Sequence, residues 1–213
     1  MNVLVIAEHN NQTLNPAVRH AVSAAAKLGS VHLLVAGSGA AAVAEQAVKV
    51  AGVEKVLLAD APHYAEALAE ELAPLVVSLA ADYRYIASAA DKYRKNLMPR
   101  IAALLDCSQV SDVVEIIDGD TFVRPIYAGN ALVTLKCTEP KLVLTFRTTA
   151  FDAAADGGSA ETVSAAPAPA QNISRFVSRE LPQSERPELT QARVVVSGGK
   201  GLGSKDNFDA VLT

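Results

Sequence analysis

A glycine-rich segment near the end of the chain has the residue types of a phosphate-binding loop. Ser197 to Phe208 read SGGKGLGSKDNF and follow three consecutive valines, Val194 to Val196. We predict a strand over the valines, a loop over the glycines and a helix start after them. Backbone N–H groups approach an anion closely only where Cβ atoms are absent, and Lys200 adds a positive charge. The segment therefore predicts a site for a phosphate-bearing ligand.

This segment is too short to form a domain. One strand, one loop and two helical turns cannot bury a core. We therefore expect the rest of a second domain to be supplied outside these 213 residues, either as further chain or as another molecule. The predicted domains are residues 1–187, a complete α/β domain, and residues 188–213, the opening of the second.

Blocks spread along the whole chain carry a family resemblance. Ser197 to Phe208 resemble the SGGRGL-x-S-x-(E/D)-NF signature that begins the flavin domain in the α subunit of electron transfer flavoprotein. The upstream blocks follow in the family's order: KNLMPRIAALLD (Lys95 to Asp106), SDVVEI (Ser111 to Ile116), FVRPIYAGNALVTLK (Phe122 to Lys136) and LTFRTTAF (Leu144 to Phe151). The family usually has arginine at the position of Lys200. Lysine keeps the positive charge but cannot form the bidentate contact of a guanidinium.

The resemblance implies an electron carrier, with no catalytic residues in this chain. It implies a heterodimer with a β subunit and one FAD held mainly by the second domain. Its electrons would come from acyl-CoA and related dehydrogenases of fatty acid β-oxidation and pass to a quinone reductase of the membrane. The flavin-binding residues carried over are Ser197, Gly198, Gly199, Lys200 and Gly201, with Lys200 as the phosphate-side cation. We expect residues 1–213 alone to bind no stoichiometric FAD.

Composition indicates a folded protein and argues against two classes of partner. Half of the residues are hydrophobic, and the formal net charge of −4 gives no basic face for nucleic acid. No apolar run reaches the roughly 18 residues of a membrane-spanning helix. The first residues, MNVLVIAEHN, read directly as a strand without a leader. We expect a bacterial cytoplasmic protein without membrane insertion.

Strand and helix patterns alternate through the first half of the chain. This predicts a three-layer α/β fold, an open parallel sheet flanked by helices on both faces. The predicted strands are Asn2 to Glu8, Val31 to Gly37, Lys55 to Ala59 and Tyr85 to Ser88. The predicted helices begin at Pro16, Ala40, Tyr64 and Lys92, with a kink or division at Pro74.

The pattern changes to short strands after Asp112. We predict an antiparallel extension of four consecutive strands: Asp112 to Ile117, Thr121 to Tyr127, Ala131 to Cys137 and Lys141 to Arg147. Ala153 to Ala170 is predicted to be an exposed, mobile loop, and Ile173 to Arg179 a strand that pairs back on the first domain. Leu181 to Thr190 is predicted to be the linker.

A second glycine motif fits the dinucleotide pattern G-x-G-x-x-A. Gly37 to Ala42 read GSGAAA after a strand, and Asp60 lies 21 residues beyond Gly39. The motif follows the second strand instead of the first, and small residues also suit an ordinary strand-to-helix turn. The turn is therefore the favoured interpretation, and the family resemblance implies no nucleotide here.

Charged and aromatic residues elsewhere leave two interpretations open. The cluster at the start of the fourth helix is either a docking or anion site or a solvated helix face: Asp91, Lys92, Arg94, Lys95 and Arg100. Arg94 and Arg100 are the candidates for partner surface. The hairpin residues are predicted to pack across strands: Phe122, Arg124, Tyr127 and Asn130.

The remaining reactive side chains show no catalytic spacing. Arg147 with Thr148 and Thr149 would hold an anion or cap a turn. Cys107 and Cys137 are predicted to be buried thiols, and the four histidines lack companions for a metal site. Two other functions remain as alternatives: a nucleotide-binding module of the universal-stress type, and a purely structural docking domain.

Overall fold

The computed structural model describes residues 1–180, 189, 192 and 194–212. The chain divides into two compact units, Met1–Phe176 and Val177–Thr213. The predicted linker over Leu181 to Thr190 lies almost wholly outside the described residues.

A seven-stranded parallel sheet forms the centre of the first unit. Its spatial order is β10-β3-β2-β1-β4-β9-β5, and each described pair of neighbours is parallel. The strands are β1 (Asn2–Ile6), β2 (Ser30–Gly37), β3 (Val53–Asp60), β4 (Tyr85–Ala89), β5 (Gln109–Val113), β9 (Leu142–Phe146) and β10 (Glu161–Ser164). The chain order reverses between β1 and β4, which makes this the switch point of the sheet.

Four helices cover the two faces of the sheet. They are α1 (Ala17–Ala25), α2 (Ala41–Val48), α3 (Ala69–Leu79) and α4 (Arg94–Leu104). Val3 and Val5 of β1 join the apolar cluster under α1 and α2, whereas Leu4 and Ile6 join the cluster under α3 and α4. A strand with both faces covered reads as a continuous apolar run. The predicted three-layer α/β class is confirmed.

A separate antiparallel sheet carries the hairpin. Its order is β6 (Glu115–Ile116), β7 (Thr121–Ile126) and β8 (Ala131–Lys136). Side chains of β8 alternate between half-buried and exposed. Phe122 of β7 is fully buried and joins the cluster under α1 and α2. Burial of a side chain of this size stabilises the fold by about 2 to 3 kcal/mol.

The prediction that Lys141 to Arg147 belongs to this antiparallel extension was wrong. Its core, β9, lies between β4 and β5 in the parallel sheet, and all five residues of β9 are buried. An uninterrupted apolar run is typical of a strand covered on both faces, whereas β8 alternates because only one face is covered. The predicted strand from Asp112 is also divided, because Asp112 has a φ of 60° and interrupts the pairing of β5.

The prediction of an exposed loop over Ala153 to Ala170 was wrong in part. The segment is mostly exposed, but β10 within it pairs with β3. Gly157 and Gly158 both donate N–H bonds to the Lys49 carbonyl, at 3.1 and 3.0 Å. A Cβ on Gly158 would overlap the Val50 carbonyl, so glycine permits this close approach of two backbones.

Two further local predictions were wrong. Ile173 to Arg179 contains no strand, and Ile173 and Val177 are largely exposed. The predicted long helix from Tyr64 is divided before α3, where Ala67 has a φ of 49°, and α3 continues through Pro74. In the described part of the chain, no helix is long and apolar enough to cross a membrane.

Candidate functional site

The glycine-rich loop of the second unit is exposed to solvent. Ser197, Gly198, Gly199, Lys200 and Gly201 are all exposed. The Leu202 N–H donates to the Gly199 carbonyl at 3.0 Å, and the Gly203 N–H donates to the Lys200 carbonyl at 3.1 Å. Gly203 has a φ of 77°, a conformation that favours glycine. The predicted loop therefore forms a single tight turn.

A capped helix, α5 (Lys205–Leu212), follows this loop. The Ser204 hydroxyl accepts the Asn207 N–H at 3.2 Å, as an N-cap serine does. The Asn207 side chain donates back to the Leu202 carbonyl at 2.8 Å. The order of loop and helix agrees with the sequence prediction, and the structure adds the serine cap between them.

The strand predicted before the loop is absent. Val194, Val195 and Val196 have no regular secondary structure, and their exposed fractions are 73%, 52% and 63%. A strand gains its stability from pairing with neighbours, and no described residue pairs with these valines. The three valines therefore have a high β propensity, but no described strand pairs with them.

The GSGAAA turn does not present a vacant anion site. Asp60 at the end of β3 accepts the N–H of Gly39 at 2.9 Å and that of Ala40 at 3.2 Å. The Asn11 side chain accepts the Ser38 N–H at 3.1 Å. These are the amides that a phosphate would need at the start of α2. The carboxylate that the dinucleotide pattern would assign to a ribose instead caps the protein's own loop.

Arg94 lies in the crevice at the carboxyl ends of β1 and β4, where open α/β sheets usually bind ligands. Its side chain is 4% exposed, and its guanidinium donates to the Ala7 carbonyl at 2.6 Å. Asp91 accepts the backbone N–H of Arg94 at 2.8 Å and lies 4.0 Å from its Nε. Arg94 is therefore not available as partner surface, and that prediction was wrong. Periodicity did not reveal its burial, because α4 begins directly over the sheet edge.

Glu8 and His9, which sequence reasoning did not select, complete this cluster. Burial and the neighbouring Asp91 raise the pKa of Glu8 to about 7, against the opposing effects of Arg94 and Asn15. Burial and the Arg94 charge lower the pKa of His9 to about 4. The His9 Nδ1 accepts the Asn11 N–H at 3.1 Å. The sequence did contain a signal for this cluster, because two ionisable residues stand just after the first buried strand.

The other predicted polar residues have partners within the fold. Arg100 pairs with Glu70 of α3 at 3.0 Å. Arg147 forms a two-point ion pair with Asp112 and so holds a carboxylate of this chain. Arg124 donates to Ser111 at 2.8 and 2.9 Å. These arginines stabilise loops, and their side chains serve no separate anion site.

The hairpin tip departs from predicted cross-strand packing. Tyr127 is 79% exposed and Leu132 is 66% exposed. Tyr127, Ala128 and Gly129 have consecutive left-handed φ values of 49°, 54° and 95°. This conformation costs energy at non-glycine residues and turns the aromatic ring into solvent.

The cysteines are less buried than predicted. Cys107 and Cys137 are free and half-buried. Burial raises the pKa of both thiols, and the Glu139 charge adds to the effect. Within residues 1–180, 189, 192 and 194–212, no group of histidine, cysteine and carboxylate side chains is arranged to hold a metal ion.

Comparison with known proteins identifies the family. The model of the electron transfer flavoprotein domain matches residues 3–171. The α subunit of electron transfer flavoprotein from Pseudomonas aeruginosa is 50% identical over 210 residues, which cover 98% of this chain and 68% of that protein. The α subunit from Paracoccus denitrificans is 51% identical over 209 residues, which cover 98% of this chain and 68% of that protein. A probable mitochondrial α subunit from Caenorhabditis elegans is 42% identical over 214 residues, which cover 99% of this chain and 64% of that protein.

An open parallel sheet with helices on both faces defines the doubly wound α/β class of protein. Within that class, the chain belongs to the electron transfer flavoprotein family. Its relatives above are α subunits, and the family is one of electron carriers. The resemblance stated from sequence is confirmed.

Proposed function

We propose that the chain is the first domain and the opening of the FAD domain of an electron transfer flavoprotein α subunit. The carrying observation is 50% identity to an α subunit across 98% of the chain. The proposed domain limits are residues 1–187 and 188–213. With a β subunit, the protein would accept electrons from acyl-CoA and related dehydrogenases and deliver them to a membrane quinone reductase. We place this carrier in the bacterial cytoplasm.

The steric surroundings of the loop glycines support the proposed FAD contact. Gly198 and Gly203 have internal reasons to be glycine: a Cβ on Gly198 would overlap Leu202 and Phe208, and Gly203 has a positive φ. Neither reason applies to Gly199 and Gly201. No described atom lies within 4 Å of an added Cβ, and neither residue has a positive φ. Their lack of side chains therefore leaves open space above the loop, as the approach of a phosphate would require.

The charges around the loop fit an anionic group. Lys200 lies within the turn and is exposed, and no described side chain forms an ion pair with it. The next cation along the chain, Lys205, is 3.6 Å from Asp209. Lys200 would thus supply the positive charge and the loop amides the donors. FAD itself would supply the redox chemistry of the isoalloxazine ring.

We expect Lys200→Met in the reconstituted heterodimer to weaken FAD binding about tenfold or more, because a charge-assisted contact is worth about 1.5 to 3 kcal/mol. Gly199→Ala should weaken it as well, since the methyl group would occupy the open space. Flavin fluorescence during titration of the apoprotein gives the affinity. Lys205→Met is the matched control with the same loss of charge.

Equal FAD affinities for Lys200→Met, Gly199→Ala and the control would contradict the assignment of the loop. The isolated 213-residue chain provides a second check on a sizing column. It should elute without stoichiometric FAD, since the loop is exposed and no described strand pairs with Val194 to Val196. A one-to-one flavin peak would mean that these residues bind FAD unaided.

The hairpin supports the proposal of a protein partner. Tyr127 and Leu132 are large apolar side chains exposed at one tip, and β8 is an edge strand of its sheet. Exposed aromatic anchors of this kind carry much of the energy of protein interfaces. Maintaining Tyr127 and Ala128 at positive φ also has an energetic cost. We therefore propose this tip as β-subunit surface, in place of Arg94.

The double variant Tyr127→Ser, Leu132→Ser should weaken capture of the β subunit at least about tenfold, because two apolar anchors are lost. Surface plasmon resonance with immobilised β subunit measures the change. Leu104→Ser, at a residue that is 57% exposed on α4, is the control. Capture equal to that of the control would remove the hairpin tip from the interface.

A further inference from the structure

The crevice between β1 and β4 contains three buried polar atoms that lack a hydrogen-bond partner among the described residues. They are Oε2 of Glu8, Oδ2 of Asp91 and Nε of Arg94. No described group donates to either of the two carboxyl oxygens. Unsatisfied buried polar atoms are rare in folded proteins, and each requires a physical explanation.

Charge balance points to the missing donor. With both carboxyl groups ionised, the cluster would hold two negative charges against the one guanidinium of Arg94. A net charge in a buried site is costly, because protein solvates it poorly. One added proton makes the cluster neutral. The Glu8 and Asp91 side chains are near enough to hydrogen-bond, so the proton also supplies a donor between two acceptors.

The remaining neighbours leave this balance unchanged. His9 carries no compensating charge at neutral pH, because burial and Arg94 hold its pKa near 4. Asn15 on the approach to α1 contacts Glu8 but is uncharged. The charges that act on Arg94 itself are those of Asp91 and Glu8. The charged side chains that face one another here are thus Glu8, Asp91 and Arg94, with neutral His9 beside them.

We propose that Glu8 and Asp91 share one proton, and that this proton links the two carboxyl groups beside Arg94 in the switch-point crevice as a pH-sensitive latch. Arg94 then fills from within the position at which related sheets bind ligands. The latch joins the residues after β1 to the start of α4. Loss of the proton above neutral pH leaves two buried carboxylates facing each other. Their desolvation and mutual repulsion outweigh the attraction of Glu8 to Arg94, which weakens the closed arrangement. This goes beyond electron transfer and does not depend on FAD.

The shared proton is directly observable in the folded protein. Glutamate labelled with ¹³C at the side-chain carboxyl reports ionisation by NMR chemical shift. We expect one glutamate to titrate near pH 7 in the unmodified chain and to disappear in Glu8→Gln. In Asp91→Asn the same signal should titrate at lower pH, because the acceptor charge is removed. Titration of every glutamate below pH 5 in the unmodified chain would overturn the proposal, whatever the variants do.

Hydrogen exchange tests whether the proton controls opening. The backbone N–H of Arg94 donates a hydrogen bond to the Asp91 carboxylate. Protection of this N–H from exchange therefore reports that the latch is closed. Relative to Glu8→Gln, which keeps the neutral form at all pH values, the opening constant should rise about fivefold from pH 6 to 8. This figure allows for partial screening of Glu8 by solvent. The same pH response in both proteins would show that Glu8 does not control the latch.

Discussion

Replacement of Arg94 by methionine is expected to lower the free energy of unfolding by about 3 to 5 kcal/mol. Methionine fills a similar volume, so packing is largely retained. The loss arises because the Ala7 carbonyl loses its 2.6 Å donor and Asp91 loses its buried cation. Urea unfolding at pH 7, followed by circular dichroism, measures the change.

Arg100 offers a matched control on the same helix. Its side chain is 40% exposed and pairs with Glu70 at 3.0 Å. Because exposed ion pairs contribute little, Arg100→Met should cost less than about 1 kcal/mol. Equal losses for the two variants would mean that Arg94 is no more important to the fold than a surface arginine. An added Arg94→Lys variant separates charge from geometry, since lysine cannot form the same planar set of bonds.

The second large effect concerns how the free energy of unfolding depends on pH. Glu8 and His9 make opposite contributions to it, and these largely cancel in the unmodified chain. Burial raises the folded-state pKa of Glu8 from 4.5 to about 7. The folded state therefore binds more protons, and stability from Glu8 is lost as pH rises towards 7. Burial lowers the pKa of His9 from 6.5 to about 4. Stability from neutral His9 is present above pH 6.5 and is lost as pH falls towards 4.

Single variants should expose each dependence. Between pH 5 and 7, His9→Asn should lose about 1 kcal/mol of stability, because only the Glu8 dependence remains and Glu8 is partly screened by solvent. Glu8→Gln should gain stability over the same range by about 1 to 2 kcal/mol, because only His9 remains. Urea midpoints at pH 5, 6 and 7 provide the comparison. Parallel pH profiles for all three proteins would show that neither group is perturbed as described.

Local patterns predicted most of the fold because their causes are local. The apolar runs of β1, β2 and β4 and the intervening helices could be recognised without neighbours. The sequence could not assign β9 and β10 to the parallel sheet. Sheet membership depends on which distant strands pair, and β10 forms only where Gly158 lets the backbone approach α2.

The candidate site divides in the same way. The sequence by itself determined the family, the α/β class and the glycine loop with a helix after it, because turn preferences operate within a few residues. Tertiary structure alone decided that Asp60 caps the GSGAAA turn and that Arg94 is buried. It also joined Glu8 to Asp91, which follow different strands. Burial and long-range electrostatics arise only when the sheet places the ends of β1 and β4 side by side.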